Sequence, residues 1–236
     1  MVENICGWQW IDYPSVGSTN DEAKNICSAV DVKKIVITAV EQTQGRGRRG
    51  RNWISDSGNL FMSQLYKPQH KISDLVFISS LSIAQTVLSF SSDLDVKIKW
   101  PNDVLLDNKK FCGILIEAEK DYVIIGIGVN LNSCPSDQDI IYPATDIASY
   151  GLNLSRLDFL QKYLSIFNEN TKLYKQNGFN DIRLNWLKYA YRLNQEIKIK
   201  NNSAIQGIYK GIDENGFLLL EQDNKVTKIS VGDIFI

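Results

Sequence analysis

Gly45-Arg46-Gly47-Arg48-Arg49-Gly50-Arg51, running into Asn52-Trp53-Ile54-Ser55-Asp56-Ser57-Gly58, is the stretch that decides the fold. Its spacing matches the G-x-G-x-x-G of dinucleotide-binding folds, but that motif must open a helix and be followed about twenty positions on by an acidic residue. The residues after Arg51 have no helical period, and positions 70 and 71 are His and Lys. A doubly wound nucleotide fold is therefore rejected. A kinase glycine loop is rejected too, because no V-A-I-K, H-R-D or D-F-G follows.

The loop lies between two apolar stretches that read as strands, Lys34 to Gln42 and Asn59 to Tyr66. Four of the chain's seven arginines fall within its six residues 46 to 51, although the 236-residue chain as a whole carries a net charge of −1 (26 basic, 27 acidic). That balance excludes a bulk electrostatic pull toward nucleic acid or anionic lipid. Crowded guanidiniums repel, and glycines permit motion, so the loop is expected to be loose until a phosphate-rich ligand gathers it. The competing readings are a solvated basic turn and an RGG-like nucleic-acid segment.

Outward from the loop, Thr19 and Glu22 have capping-box spacing at the start of a helix. Ile72 to Phe90 reads as a helix, and Val96–Trp100, Val104–Leu106, Lys110–Glu119 and Tyr122–Leu131 as successive strands. A long helix runs from a Ser155 cap to Asn177, stopped by Gly178, and a shorter one carries Ile182, Trp186 and Ala190. Four short strands follow (Glu196–Lys200, Ile205–Lys210, Phe217–Glu221, Val226–Ile229), the first two joined by an Asn201-Asn202 turn. About forty residues make too small a core to stand alone, so this tail is expected to dock on the rest.

Cys6, Cys27, Cys112 and Cys134 lack metal or redox spacing, and at least three read as small hydrophobes in a reducing compartment. His70 reads as a solvated loop residue. No apolar run approaches a membrane span, and no signal peptide is seen, so a cytoplasmic protein is expected.

A second constellation is Lys99-Trp100-Pro101-Asn102-Asp103, Lys110-Phe111-Cys112-Gly113-Ile114-Leu115-Ile116-Glu117 and Gly126-Ile127-Gly128-Val129-Asn130-Leu131-Asn132. Asn102 and Asp103 after a proline can face a site or make an Asx-turn. Strict alternation puts Lys110 on one face with Cys112, Ile114 and Ile116. Gly126 and Gly128 within a strand suggest close approach of a ligand or another backbone. Asn130 and Asn132, two apart, could read a base edge.

Read together, Ser18-Thr19-Asn20, Glu41-Gln42-Thr43-Gln44 with the arginine loop and Asn52-Trp53, Gly58-Asn59-Leu60 through Ser63, KWPND, KFCGILIE and GIGVNLN resemble the biotin protein ligase family, over nearly the whole chain. The resemblance implies an α+β fold: a mixed β-sheet with flanking helices, class II synthetase-like, over residues 1–190, and a small SH3-like β-barrel over 191–236. It implies formation of biotinyl-5′-AMP from biotin and ATP with Mg²⁺, then biotin transfer to a lysine of a carrier protein or domain of acetyl-CoA or related acyl-CoA carboxylase. It assigns Lys110 and Arg48 to catalysis. Biotin contacts fall to Ser18, Thr19, Asn20, Gln42, Gly45, Arg46, Gly47, Arg48, Lys110, Gly113 and Gly126, and ATP contacts to Arg51, Trp53, Asn102, Asp103, Asn130 and Asn132. Asp103 is the candidate Mg²⁺ ligand. The motifs begin by Ser18, leaving no room for a DNA-binding winged helix, so neither DNA nor membrane is expected as a partner, and the state is monomer or homodimer. No arginine follows Arg192, so an arginine role in the terminal module must pass to lysine or be absent. The rivals are a lipoate or octanoate ligase on the same fold and a non-catalytic nucleic-acid binder.

Overall fold

The structure, a computed structural model, describes residues 3–29, 33–136, 143–200 and 204–235. The turn expected at Asn201-Asn202 lies outside them. Eight strands form one mixed sheet in the order β1-β2-β3-β4-β8-β7-β6-β5. These are β1 (Glu3–Ile5), β2 (Trp8–Val16), β3 (Lys34–Gln42), β4 (Leu60–Tyr66), β5 (Val96–Lys99), β6 (Asp103–Leu106), β7 (Lys109–Glu119) and β8 (Tyr122–Val129). Only β2 and β3 run parallel, joined through helix α1 (Thr19–Ala29); the other neighbours are antiparallel.

Period-two alternation sorts the two faces. On one side Ile35 and Ile37 of β3, Leu65 of β4 and Ile124 of β8 pack with Ala23 and Cys27 of α1. On the other, Val36, Met62, Val123, Ile125 and Ile127 enter a larger core with α2 (Leu75–Phe90), α3 (Arg156–Asn177) and α4 (Phe179–Leu187). Along the α1 face the apolar residues give way to Ser63, Gly126, Gly128 and Gly113, aligned across β4, β8 and β7. The sheet is therefore bare and polar where α1 begins, and the cleft described below forms there.

The helix boundaries show which local signals decide. Ser155 Oγ accepts from Asp158 N at 3.0 Å, and α3 ends at Gly178 with φ 78°, as its cap and stop residues require. The α1 capping box does not form. Ser18 is the last residue before the helix, its carbonyl accepting from Asp21 N and Glu22 N, while the Thr19 hydroxyl is drawn to Gln42. The shorter helix stops at Leu187, and Ala190 instead bridges to Ile98. The 19-residue stretch Ile72–Phe90 is apolar enough to span a membrane by length and composition (mean hydropathy 1.5), contrary to expectation. About two thirds of it is buried, and it is a core helix of this fold.

The chain's last strands are β9 (Glu196–Lys200), β10 (Ala204–Ile212), β11 (Leu218–Gln222), β12 (Lys225–Ile229) and β13 (Asp233–Phe235). They make an antiparallel sheet in the order β12-β11-β10-β9-β13. β12 and β13 are its edges, and no pairing closes it into a barrel among the described residues. Ile197, Ile199, Tyr209, Ile212, Leu218 and Leu220 join the larger core, and Trp100 Nε1 donates to Gly216 O at 3.0 Å, so the small sheet is docked as its size demands.

Two minor expectations change. Cys27 and Cys112 are buried but Cys6 and Cys134 are exposed, so two rather than three behave as core hydrophobes. His70 is half-buried against the Tyr174 ring, centroids 4.7 Å apart, instead of being solvated.

Candidate active site

The cleft opens to solvent and is lined by residues from α1, the arginine loop, β6, β7, β8 and Asp233. A β-bulge decides what lines it. β7 pairs with β6 as Asp103↔Gly113 and Val104↔Cys112, but then as Leu105↔Lys110, so Phe111 is an extra residue. Phe111 and Cys112 both point into the larger core, and Lys110 changes sides. Simple alternation placed Lys110 with Cys112 and Ile114; the bulge puts it with Gly113, whose missing Cβ would lie 3.2 Å from Lys110 Nζ. The segment at 143–145 fixes this turn of chain, Lys110 N donating to Pro143 O and Thr145 N to Lys110 O.

Lys110 Nζ then sits 2.7 Å from Asp103 Oδ1, and Lys99 Nζ 3.2 Å from Asp103 Oδ2. Lys99 is only 2% exposed, and its burial lowers its pKa against the opposing pull of Asp103. Burial alone would raise the Asp103 carboxyl, but the two ammonium groups more than offset this and hold it below the ordinary carboxylate value. A protein-held Mg²⁺ does not fit here: both Asp103 oxygens face cations, and no group of three His, Cys, Asp or Glu suited to a metal occurs among the described residues.

In the arginine loop carboxylates stand where a polyanion was expected. Arg46 makes two 2.6 Å contacts with Asp21 on α1. Arg48, Arg49 and Arg51 converge on Asp233 of β13 at 3.2, 3.1 and 2.7 Å, and Arg48 also donates to Asn102 Oδ1 at 2.8 Å. Burial lowers the Arg48 pKa, with Asp233 acting against it. Asp233 gave no signal in the sequence beyond a lone acid near the terminus. It is an acid, not a substitute cation, that the small sheet brings to the loop.

Trp53, at the end of the loop, lays its indole on a bare notch made by Gly113 and Gly128, which oppose each other across β7 and β8. A Cβ on Gly128 would lie 2.4 Å from the indole, and one on Gly113 2.8 Å. Lys110 Nζ stands 5.2 Å from the Trp53 ring centroid, within cation–π range. These glycines therefore make room for Trp53, and Gly126 makes room for Asn20, whose Oδ1 would be 2.4 Å from an added Cβ. Gly45 is packed under Ser55 and Trp53 O and does not reach the cleft.

A second set of cleft side chains is uncharged and hydrogen-bonded together. Thr19 N and Oγ1 donate to Gln42 Oε1 at 2.9 and 3.1 Å, Gln42 Nε2 donates to Ser55 Oγ, and Ser63 Oγ donates to Asn20 Oδ1 at 2.5 Å. Ser18 and Gly47 also line the cleft. Asn130 and Asn132 do not. Strand β8 ends at Val129, Asn130 Nδ2 donates to Thr145 O, and Asn132 Nδ2 donates to Gly58 O, so both hold loops together. Asn102 lines the cleft, and its Nδ2 donates to Ile114 O. Ser63 and Glu117, to which the sequence assigned no role, both hydrogen-bond the cleft residue Asn20.

The cleft thus joins a neutral hydrogen-bonding pocket to a strongly cationic mouth. Comparison with known proteins agrees with that chemistry. Residues 14–130 match the profile of the Biotin/lipoate A/B protein ligase family, and residues 193–236 that of the Biotin protein ligase C terminal domain. The Bifunctional ligase/repressor BirA of Bacillus subtilis is 32% identical, over 99% of this chain and 76% of its own length. The Biotin--[acetyl-CoA-carboxylase] ligase of Paracoccus denitrificans is also 32% identical, over 92% of this chain and 96% of its own. The structure of the biotin protein ligase from Aquifex aeolicus in complex with biotin and ATP superposes with a TM-score of 0.86 at 29% identity, covering 96% of this chain and 97% of that one. With this cleft, both profile matches and relatives of that identity over almost its full length, the chain belongs to the biotin protein ligase family.

Proposed function

We propose that the cleft activates biotin with ATP and that the enzyme transfers it to a lysine of a carboxylase carrier domain. The observation that supports this best is the polarity of the cleft: uncharged Ser18, Thr19, Asn20 and Gln42 make one group of lining residues, Lys110, Arg48 and Arg51 with the acids Asp103 and Asp233 make another, and Arg46 reaches from the loop to the first group through Glu117. Biotin has that same polarity, a neutral cyclic urea at one end and a carboxylate at the other. The dithiolane of lipoate would gain nothing from four polar side chains.

In the first step the biotin carboxylate attacks the α-phosphorus of ATP. The bond to the bridging oxygen breaks, and biotinyl-5′-AMP and pyrophosphate result. Two anions must meet, so the barrier is electrostatic, and fixed cations in a partly desolvated cleft lower it. Lys110 holds the carboxylate oxygen and then the anhydride. Arg48 and Arg51 exchange Asp233 for phosphate oxygens, and Arg46 and Gly47 carry the loop across the biotin chain, with Gly45 packed behind them. Trp53 and Asn102 border the nucleotide side. Asn130 and Asn132 act there only by supporting loops. Mg²⁺ enters as Mg-ATP, held by the phosphates rather than by Asp103. In the second step a carrier lysine amine attacks the anhydride carbonyl, forms the amide and releases AMP. The closed loop keeps water from the anhydride until then.

The carrier is a domain of acetyl-CoA or a related acyl-CoA carboxylase, a reading supported by the names of the relatives. Residues 1–190 are proposed as the catalytic unit and 191–236 as an SH3-like module, supported by β13 folding back to pair with β9. Mass spectrometry of a biotin carrier domain incubated with enzyme, biotin and Mg-ATP tests the reading. One biotinyl addition at one lysine is expected, and an unmodified carrier refutes transfer.

A further inference from the structure

We propose that Glu117 is a positioning residue of the biotin subsite: its carboxylate fixes the amide of Asn20 and, through Arg46, ties the arginine loop to the same pocket. This rests on the biotin-ligase reading and assigns a part to a residue that the motif left without one.

Glu117 lies on β7 two residues beyond Leu115, which pairs with Gly126, so it falls on the cleft face of the strand. Its carboxylate takes three donors from two elements. Asn20 Nδ2 and Arg46 Nη2 reach Oε2 at 2.6 and 3.4 Å, and Lys24 Nζ reaches Oε1 at 2.8 Å. Asn20 and Lys24 are one turn apart on α1 and grip the carboxylate from one helix face. Burial would raise the Glu117 pKa, but Lys24, Asn20 and Arg46 hold it below the ordinary value, so the group is ionised at neutral pH.

An asparagine amide keeps its shape when turned over, and only its partners decide which end is oxygen. Ser63, 2.5 Å from Asn20 Oδ1, has a hydroxyl that can donate or accept and so fits either orientation. An ionised carboxylate only accepts. Glu117 therefore rejects the inverted amide, whose oxygen would face a negative charge. The result is a carbonyl oxygen held over Gly126, with a second lone pair to accept an N–H of a cyclic urea. The same Glu117 oxygen meets Arg46, and Arg46 is also paired with Asp21, the residue next to Asn20. The urea pocket and the first arginine of the loop thus share one carboxylate.

Steady-state exchange of labelled pyrophosphate into ATP, measured against biotin and against ATP, tests this in wild type, Glu117→Gln, Asn20→Ala and the double variant. Glu117→Gln is expected to raise the biotin KM about tenfold, with kcat and the ATP KM within about twofold of wild type. In the Asn20→Ala background the same change is expected to raise the biotin KM by a factor at least about threefold smaller, because the larger part of its effect passes through Asn20 and only the remainder through Arg46. An unchanged biotin KM, an equal rise in the ATP KM, or the same factor in both backgrounds overturns the proposal. Glu117→Asp keeps the charge but withdraws it by one methylene, and it serves if circular dichroism shows the Gln variant unfolded. It is expected to raise the biotin KM alike, and a wild-type value overturns the proposal. Absence of biotin-dependent exchange in the wild type would instead refute the biotin-ligase reading itself.

Discussion

Lys110 Nζ lies 2.7 Å from Asp103 Oδ1, and this contact depends on one extra residue, Phe111, bulged out of β7. The bulge turns a lysine that alternation would send toward the core onto the cleft face. Removing its charge from beside the reacting carboxylate resembles loss of one preorganised electrostatic donor, a cost of about 10²–10³ in rate. Lys110→Ala is expected to slow biotin-dependent pyrophosphate exchange by that factor. A near-wild-type rate would move the role to Lys99.

Asp233 gathers Arg48, Arg49 and Arg51. Neutralising it leaves three guanidiniums to repel one another with no shared acceptor. Asp233→Asn is expected to speed tryptic cleavage after Arg48, Arg49 and Arg51 several-fold in the free protein, with biotin plus ATP restoring protection. Equal cleavage of variant and wild type would show that the loop is held by something other than this ion-pair cluster.

The notch under Trp53 has no room for a side chain. Gly128→Ala puts a methyl 2.4 Å from the indole, with the strand backbone behind it. Overpacking of this kind costs about 1–3 kcal/mol. A matching fall in the urea midpoint at unchanged m-value is expected, together with weakened exchange activity. A variant as stable and active as wild type would mean that the indole is not seated there in solution.

Acid should weaken the fold through Asp103, whose carboxyl is raised by burial but brought lower still by Lys110 and Lys99. Its folded value lies below the unfolded one of about 3.9, so the unfolded chain binds the proton first. The stabilisation is complete above that value and is lost as pH falls through the lower, folded one. Asp21 and Glu117 are shifted in the same direction. Urea midpoints between pH 5 and pH 3 are expected to fall less steeply for Asp103→Asn than for wild type, from a lower starting value. Parallel slopes would contradict the ion-pair assignment.

Strands β3, β4, β7 and β8 and helices α1, α2 and α3 were legible in the sequence because their apolar period is long and their ends carry caps or turns. β1 and β13 were not, being three residues each. β2 carries Asp12, Pro14 and Ser15, residue types that disfavour strands, yet it pairs on both sides. The cleft residues were legible as motifs, but their arrangement was not. Nothing local announces the Phe111 bulge. Asp233 is 130 positions from Asp103 in the sequence, and Asn130 and Asn132 leave the site because β8 ends before them. Residue type predicted the chemistry; which side chains touch was set by register.

Exchange of labelled pyrophosphate into ATP, with Mg²⁺ and either biotin or lipoate, addresses the polarity of the cleft most directly. Exchange that requires biotin and does not occur with lipoate is expected from a neutral urea pocket joined to a cationic mouth. Exchange supported by lipoate and not by biotin would contradict it.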